Sequence, residues 1–251
     1  MTTTQAYSEN LVHVPAPNPD LLEKLALANR ILYDQNVVDA FGHISVRHDK
    51  SPGHFLLSCN RAPGLVRPSD ILTYDMEGDL AVASDKRSYL ERFIHSEIYK
   101  ARPDVVAVVH SHSQSMIPFG VTGQRLRPIF HMSGFLGSGS SLFDIRESAG
   151  NTDMLIRDTG LGRALAKSLG QHNCVLMRGH GCTTTGESIE QVVYRAIYAE
   201  VNAKLQLQAA ALGPVSFLNE EEAALAAAAT EGQVARPWAL WAEKVGSLDA
   251  E

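Results

Sequence analysis

The stretch that most constrains this chain of 251 residues is a hydrophobic run that ends in two histidines. Residues 105–113 read Val-Val-Ala-Val-Val-His-Ser-His-Ser, and the apolar, mostly β-branched part predicts a strand that is buried on both faces. Residues i and i+2 of a strand point to the same side, so the imidazoles of His110 and His112 are expected side by side at its end. Two such imidazoles can bind one metal ion, because histidine is the commonest metal ligand among side chains.

A third histidine, His180, follows a second apolar strand and lies between Gly179 and Gly181. Glycine permits a tight turn and a close approach of the backbone, which places the imidazole at an open strand end. Three neutral imidazoles around a divalent ion leave a position open for substrate, which is typical of catalytic rather than structural sites. Spacing alone does not show that His180 lies near the other pair, since isolated His-x-His pairs are common.

Two interpretations are open for Glu91. The segment Ser88-Tyr89-Leu90-Glu91 begins a predicted helix that runs to about Ala101, and a serine followed three residues later by a glutamate has the pattern of a capping box. Composition alone favours this capping role. A carboxylate at the start of a helix can also project into a cleft beside a metal ion. His95, one helical turn further on, is expected to pack or to support the site rather than to bind metal.

Two polar loops supply candidate substrate-binding residues, namely His43, Ser58 and Arg61. His43 follows Gly42 at a strand entry, and its imidazole can either simply begin the strand or form part of a cradle for an anion or carboxylate. Ser58 ends a predicted strand. The Arg61 guanidinium that follows can bind a carboxylate with two hydrogen bonds or remain a solvated surface group.

Helices and strands alternate behind a polar, then proline-rich stretch, which we expect to be a flexible N-terminal arm over residues 1–17. Without internal repeats or long linkers, residues 18–251 are predicted to form one α/β domain that includes the C-terminal helices. The first predicted helix has Asn18 as its N-cap and Pro19 at its first position. Further helices are predicted over 88–101, within 155–169 with Thr159 as the cap, and over 187–212, 219–230 and 237–244. Strands are predicted over 44–46, 54–58, 71–75 and 80–82, from 105, and over 127–132, 174–178 and 182–185.

Composition argues against several classes of function. The formal net charge of −6 gives no basic footprint for nucleic acid. Three scattered cysteines, Cys59, Cys174 and Cys182, do not form a disulfide framework and favour a reducing compartment. The first residues lack the pattern of a signal peptide, and no apolar run reaches the roughly 18–20 residues that span a bilayer. We therefore expect a cytoplasmic protein without membrane or nucleic-acid partners.

Four motifs together resemble the class II aldolase/adducin family. They are Gly42–Arg47, Glu91, the segment from Ala101 through the His110-Ser111-His112 strand end, and Leu176–Gly181. The resemblance extends over about residues 20–210 in the right order. It implies a single-domain α/β/α fold around a central, mostly antiparallel sheet. It also implies a homotetramer with active sites at subunit interfaces and one divalent metal ion per subunit, Mn²⁺ or Zn²⁺ first and Fe²⁺ as an alternative.

The resemblance also implies roles for individual residues. By position, His110, His112 and His180 match the metal-binding histidines of the family. Glu91 matches its catalytic acid/base, which replaces capping as the preferred role although both can coexist.

One departure from the family pattern bears on the substrate. Sugar-phosphate aldolases carry Ser-Ser-Glu where this chain has Tyr89-Leu90-Glu91, and an asparagine where it has His43. Tyrosine and leucine do not offer phosphate-binding hydroxyls in that geometry, which disfavours a sugar phosphate. The segment Tyr89–His95 is similar to the decarboxylase branch, which includes 3-hydroxy-2-methylpyridine-4,5-dicarboxylate decarboxylase and decarboxylases of dihydroxylated benzoates and phthalates.

The sequence therefore predicts a metal-dependent carbon–carbon lyase that decarboxylates a hydroxylated aromatic or pyridine carboxylate. The alternatives are an aldolase acting on a non-phosphorylated substrate and a non-catalytic assembly module like the adducin head domain. A non-haem iron oxygenase is a further, minor alternative. Retention of all three histidines and Glu91 argues against the assembly module.

Overall fold

The protein, described here by a computed structural model for residues 14–246, is built on one seven-stranded sheet. The strands are β1 (His43–Arg47), β2 (His54–Ser58), β3 (Ile71–Asp75), β4 (Ala107–Ser111), β5 (Ser141–Phe143), β6 (Cys174–Met177) and β7 (Gly181–Gly186). Their order across the sheet is β3-β2-β1-β4-β7-β6-β5. Every neighbouring pair is antiparallel except β5 and β6, so the expected mostly antiparallel sheet is confirmed.

Helices cover both faces of the sheet. They are α1 (Pro19–Asp34), α2 (Arg92–Ala101), α3 (Ile117–Val121), α4 (Arg146–Ala149), α5 (Thr159–Leu169), α6 (Ile189–Leu212), α7 (Glu220–Glu231) and α8 (Ala235–Val245), with 3₁₀ turns at Pro63–Leu65, Pro68–Asp70 and His131–Leu136. One hydrophobic cluster joins the sheet to α1, α6 and α8, and a second joins it to α2 and α5. The α/β/α architecture is therefore confirmed.

The central strand β4 contributes to both cores. Val109 packs into the first cluster and Val108 into the second, and both side chains are buried. Successive residues of a strand face opposite sides, so the continuous apolar run fills both layers at once. The prediction of a strand buried on both faces is confirmed.

Several local predictions are corrected. Leu80 forms only an isolated bridge with Tyr74 rather than a strand over 80–82. The cap of α5 is Asp158, whose side chain accepts from the Leu161 amide at 2.9 Å, and Thr159 is the first helical residue.

Residues 127–132 do not pair in the sheet either, because side chains of α6 form hydrogen bonds with their backbone N–H and C=O groups. The Asn202 amide donates to the Arg127 carbonyl at 2.8 Å and accepts from the Ile129 amide at 3.0 Å. Gln206 accepts from the Arg127 amide at 3.0 Å. A local sequence pattern cannot reveal that two distant side chains replace a strand partner.

The N-terminal stretch is only partly within the described residues. Residues 1–13 of the expected arm and residues 247–251 lie outside them. Ahead of α1, the Pro15 carbonyl lies 3.0 Å from His48 Nε2, and the Ala16 carbonyl accepts from Lys50 Nζ at 2.9 Å. The division at residue 17 stays a prediction. Among residues 14–246, no helix is both long enough and apolar enough to cross a membrane.

Candidate active site and metal centre

Strand pairing brings the histidines of two strands together. β4 lies between β1 and β7, and His43 of β1 is directly opposite His110 in the register. Their rings are 5.2 Å apart, measured between centroids. His112 lies just beyond the end of β4, and its ring centroid is 5.1 Å from that of His110. The imidazoles of His110 and His112 therefore lie together, as the spacing predicts.

The tight turn between β6 and β7 carries His180 to the same place. Gly179 has φ +65°, a conformation that favours glycine. At Gly181 a Cβ atom would lie 2.1 Å from the Ser111 carbonyl oxygen, so only glycine lets the turn pass this close to β4. As a result the His180 ring lies 4.9 Å from that of His110 and 5.1 Å from that of His112.

Glu91 completes the cluster. Its Oε2 atom is 3.5 Å from His180 Nε2 and 3.7 Å from His110 Nε2. One ligand atom from each of Glu91, His110, His112 and His180 can be chosen so that all four lie within 4.8 Å of one another. We call these four residues the metal cluster. The sequence-predicted ligands and the candidate acid/base thus occupy one site.

The capping interpretation of Glu91 is wrong. α2 begins at Arg92 rather than at Ser88, and the Glu91 side chain makes no capping hydrogen bond. Its Oε1 atom instead accepts the backbone N–H of Ile156 at 3.0 Å, while Ser88 Oγ accepts from the Tyr74 hydroxyl at 2.9 Å. The Ile156 amide therefore holds one carboxylate oxygen and leaves the other facing the histidines.

Burial sets the protonation states of the cluster. It lowers the pKa of His110 to about 3 and also lowers the pKa of His112, so both imidazoles are neutral at pH 7. Burial alone raises the pKa of the Glu91 carboxyl, but neighbouring His180 and His110 outweigh it and lower this pKa to about 2. Neutral imidazoles and an ionised carboxylate are the forms that bind a metal ion.

The nitrogen lone pairs of the cluster fit one divalent ion. His110 Nδ1 lies 3.1 Å from the Cys182 carbonyl, which can only accept, so Nδ1 carries the hydrogen and Nε2 keeps a free lone pair. Within the described residues, His110 Nε2, His112 Nε2 and both ring nitrogens of His180 are buried without hydrogen-bond partners. Ligand atoms around a tetrahedral ion lie roughly 3.3–3.6 Å apart. The distances from Glu91 Oε2 to His180 Nε2 and His110 Nε2, 3.5 and 3.7 Å, are close to this spacing, and all four ligand atoms lie within 4.8 Å of one another.

A second group of buried polar residues supports His43. His95 Nε2 lies 2.6 Å from His43 Nδ1, and His95 Nδ1 lies 2.6 Å from Ser45 Oγ. Ser45 Oγ is also 2.7 Å from the Tyr99 hydroxyl. We call these four residues the His43 chain. His95 thus contacts His43 and lies outside the metal cluster, and its supporting role stays a prediction.

Ser45 and Tyr99 were not predicted as site residues, although the sequence contains a signal for both. Ser45 is two residues from His43 on β1 and therefore faces the same side. Glu91, His95 and Tyr99 follow one another at four-residue intervals, so they share one face at the beginning and along the length of α2.

Tyr89 is another residue whose role the sequence did not reveal. Its ring packs 4.6 Å from the His43 ring, and its hydroxyl donates to the Arg61 carbonyl. Ser58 is fully buried beside the same hydroxyl. Tyr89 therefore forms a wall between His43 and the loop that follows β2.

Of the three candidate substrate residues, the structure brings His43 closest to the metal cluster. Ser58 lies behind Tyr89. Arg61 Nε donates to the Leu65 carbonyl at 2.7 Å and lies 3.4 Å from an Asp70 carboxylate oxygen, so this side of the guanidinium is engaged within its own loop.

A polar cleft leads to the cluster. Its volume is about 510 Å³, and its lining includes His112 together with Asp39, Glu200 and Lys204. The Phe41 ring, which is 66% exposed, lies 6.3 Å from the His112 ring. The cleft therefore opens onto the His112 side of the metal cluster.

Comparisons with known proteins agree with this architecture. A family model for the Class II Aldolase and Adducin N-terminal domain matches residues 23–207. The chain is 42% identical over 239 residues to decarboxylase tropJ of Talaromyces stipitatus, covering 86% of this chain and 90% of that protein. It is 30% identical over 213 residues to a 3,4-dihydroxyphthalate decarboxylase of Arthrobacter keyseri, covering 79% of this chain and 82% of that protein. The solved structure of an aldolase II superfamily protein from Pseudomonas syringae has a TM-score of 0.76 at 22% identity, covering 93% of this chain and 94% of that one.

Proposed function

Because this chain belongs to the class II aldolase/adducin family, we propose that it is a metal-dependent decarboxylase of a hydroxylated aromatic or pyridine carboxylate. The observation that carries the proposal is the convergence of an ionised Glu91 with unpaired imidazole nitrogens of three histidines. Two similar proteins that are named decarboxylases favour loss of a carboxylate over cleavage of an aldol.

In this proposal His110, His112 and His180 hold one divalent ion. Three imidazoles suit Zn²⁺, while Mn²⁺ or Fe²⁺ suits a substrate that binds through oxygen atoms. When bound, the ion acts as a Lewis acid that stabilises negative charge on an adjacent substrate oxygen. The bare Nε2 of His110, fixed by the bond from Nδ1 to Cys182, is presented in the correct tautomer for this role.

Glu91 is proposed to move the proton that the reaction requires. Its carboxyl is ionised at neutral pH, so Oε2 first takes the proton of the substrate's ring hydroxyl. Oε2 then gives that proton to the ring carbon that bears the carboxylate, and the ring passes to its keto form. The bond between this carbon and the carboxylate breaks, carbon dioxide leaves, and the electron pair restores the aromatic ring. Solvent returns a proton to the ring oxygen.

His43, Ser58 and Arg61 are proposed to bind carboxylate groups of the substrate. The position of His43 beside His110 supports this role most strongly. A carboxylate that is to leave needs positioning next to Glu91, and binding it on the β1 side of the cluster keeps the cleft beside His112 free for the rest of the ring.

We also propose that the protein is a cytoplasmic homotetramer whose active sites lie at subunit interfaces. Large apolar side chains near the cluster support this, since Phe41 is 66% and Leu90 is 53% exposed in the single subunit. A neighbouring subunit would cover such residues and exclude water from the site.

The test combines metal analysis with a screen for carbon dioxide release from hydroxylated benzene and pyridine carboxylates. We expect about one divalent ion per subunit, carbon dioxide from at least one ring acid, and loss of activity on chelation that Mn²⁺ or Zn²⁺ restores. An aldehyde product without carbon dioxide would favour the aldolase alternative. Purified protein that binds no divalent ion and acts on no substrate would revive the assembly module, and oxygen consumption would indicate the oxygenase.

A further inference from the structure

We propose that Tyr99, Ser45 and His95 act as positioning residues that hold His43 in the tautomer with hydrogen on Nε2. His43 thereby becomes a neutral hydrogen-bond donor to an anionic oxygen of the substrate. The substrate part of this inference rests on the proposed function, whereas the tautomer itself does not.

The chemistry of the donors gives the His43 chain a direction. The Tyr99 hydroxyl donates to Ser45 Oγ, at 2.7 Å. The Ser45 hydroxyl then has one hydrogen to give, and it donates to His95 Nδ1 at 2.6 Å. A neutral His95 that accepts at Nδ1 carries its hydrogen on Nε2, which donates to His43 Nδ1 at 2.6 Å. His43 therefore carries its own hydrogen on Nε2.

The opposite direction of these hydrogen bonds is disfavoured because it leaves one buried hydroxyl hydrogen without an acceptor. If His43 donated to His95, His95 Nδ1 would donate to Ser45 Oγ, and the hydrogen of either the Ser45 or the Tyr99 hydroxyl would then lack an acceptor. Within residues 14–246 the Tyr99 hydroxyl has no other hydrogen-bond partner, and Tyr99 is only 2% exposed. Burial also raises the pKa of Tyr99, so its hydrogen stays on the oxygen. A buried donor without an acceptor is destabilising, which selects the first direction.

The tautomer matters because of what lies beside His43. Its ring centroid is 5.2 Å from that of His110 in the metal cluster, and Nε2 has no hydrogen-bond partner among the described residues. An N–H at this position attracts a carboxylate or ring oxygen, whereas the other tautomer would present a lone pair and repel it. A neutral donor also binds an anion without repelling a divalent cation nearby.

Ser45→Ala tests the chain with a minimal change. The variant removes the hydroxyl that donates to His95 Nδ1. The hydrogen bond that keeps the His95 hydrogen on Nε2 is then lost. The matched control is Ser96→Ala, because Ser96 is also fully buried, follows His95 directly, and has a hydroxyl without a hydrogen-bond partner in the described part of the chain. Both variants lose one hydroxyl from the core, but only one breaks the chain.

The first measurement is the tautomer of His43 in full-length, Zn²⁺-loaded protein labelled with ¹⁵N-histidine. Protonated and bare ring nitrogens give separate ¹⁵N resonances, and His43→Asn identifies the His43 signals. We expect bare Nδ1 and protonated Nε2 in the wild type and in Ser96→Ala, and loss of this single state in Ser45→Ala. A wild-type His43 with hydrogen on Nδ1, or an unchanged spectrum in Ser45→Ala, overturns the proposal.

The second measurement is kinetic and separates binding from chemistry. With a substrate that the screen identifies, Ser45→Ala is expected to raise KM roughly 10–100-fold and to change kcat much less, because a charge-assisted hydrogen bond to the bound anion is lost. Ser96→Ala should match the wild type. Equal KM values in the two variants overturn the role of the chain in substrate binding. If no substrate is found, the proposed function fails, and the ¹⁵N measurement alone decides whether the tautomer is fixed.

Discussion

Two groups of histidines with buried ring nitrogens lie side by side against this sheet, and they differ in how those nitrogens are hydrogen-bonded. In the metal cluster, Nε2 of His110 and of His112 and both nitrogens of His180 have no hydrogen-bond partner within residues 14–246. In the His43 chain, both nitrogens of His95 and the Nδ1 of His43 are bonded at 2.6 Å.

The difference indicates different tasks for the same residue type. A buried polar atom without a partner costs about 1–3 kcal/mol, which a fold tolerates where a bound ion or substrate completes the bonding. A buried nitrogen that is fully bonded cannot bind an ion, but it fixes the orientation and the tautomer of its neighbours. This contrast supports the proposals that the metal cluster binds an ion and that the His43 chain positions His43.

The largest effect is expected for His180→Ala, which removes a proposed ligand. We expect metal content to fall to a small fraction of the wild-type value and carbon dioxide release to fall with it, by roughly 10³-fold or more. His172→Ala is the control, because His172 is also a partly exposed histidine but lies outside the cluster. Inductively coupled plasma analysis and a carbon dioxide assay measure both quantities, and wild-type metal content in His180→Ala would contradict the ligand assignment.

Gly181→Ala tests whether the close approach of the β6–β7 turn assembles the cluster. The new Cβ would lie 2.1 Å from the Ser111 carbonyl oxygen, so the backbone must shift. We expect a loss of roughly 1–3 kcal/mol in the free energy of unfolding and a roughly 10–100-fold loss of metal affinity. Gly53→Ala is the control, because nothing lies within 4 Å of the new Cβ atom. It should change neither the free energy of unfolding, measured by urea titration, nor the metal affinity, measured by metal titration.

The pH dependence of stability involves both groups. Burial lowers the pKa of His110 and of His95 from 6.5 to about 3. Between these values the unfolded chain binds protons that the folded chain does not, so this stability is present above pH 6.5 and is lost as the pH falls. For metal-free protein we expect the free energy of unfolding to fall by roughly 1–2 kcal/mol per histidine between about pH 7 and 5.

Urea unfolding at a series of pH values measures this effect. His95→Gln removes the contribution of His95 and leaves those of His43 and of the metal cluster, so its profile should be shallower than that of the wild type. A stability that does not change across this pH range would show that the histidines are not held neutral by burial.

The smallest effect is expected for Tyr89→Phe. The variant keeps the ring that packs on His43 but loses the hydrogen bond to the Arg61 carbonyl. We expect a cost of roughly 0.5–1.5 kcal/mol and a rise in KM of a few-fold, with metal content unchanged. Tyr33→Phe, at a side chain that is 53% exposed, serves as the control in thermal unfolding and kinetics. A loss of metal in Tyr89→Phe would show that the Tyr89 hydroxyl also affects metal binding by the cluster.

Local patterns in the sequence predicted the metal cluster better than its surroundings. The periodicity of β4 places His110 and His112 on one side, and the two glycines around His180 mark a turn that only glycine permits. Glu91 was ambiguous because its spacing from Ser88 satisfies a capping pattern, and only the approach of Ile156 from a distant segment decides against it.

The His43 chain depended on tertiary contacts that no single segment reveals. Ser45 lies on β1 and Tyr99 on α2, and they meet because α2 packs on this face of the sheet. Similarly, the apolar residues of 127–132 resemble a strand, but the side chains of Asn202 and Gln206 occupy its backbone groups. Patterns within one element are readable from the sequence, whereas polar contacts between elements require the fold.

One variant tests both the catalytic role of the metal cluster and the proton transfer by Glu91. Glu91→Gln keeps the shape of the side chain and removes its ability to exchange a proton, so metal content and carbon dioxide release should separate in this variant. We expect metal content close to that of the wild type and carbon dioxide release lowered by roughly 10²–10⁴-fold. Near-normal release of carbon dioxide by the metal-loaded variant would show that Glu91 does not transfer the proton.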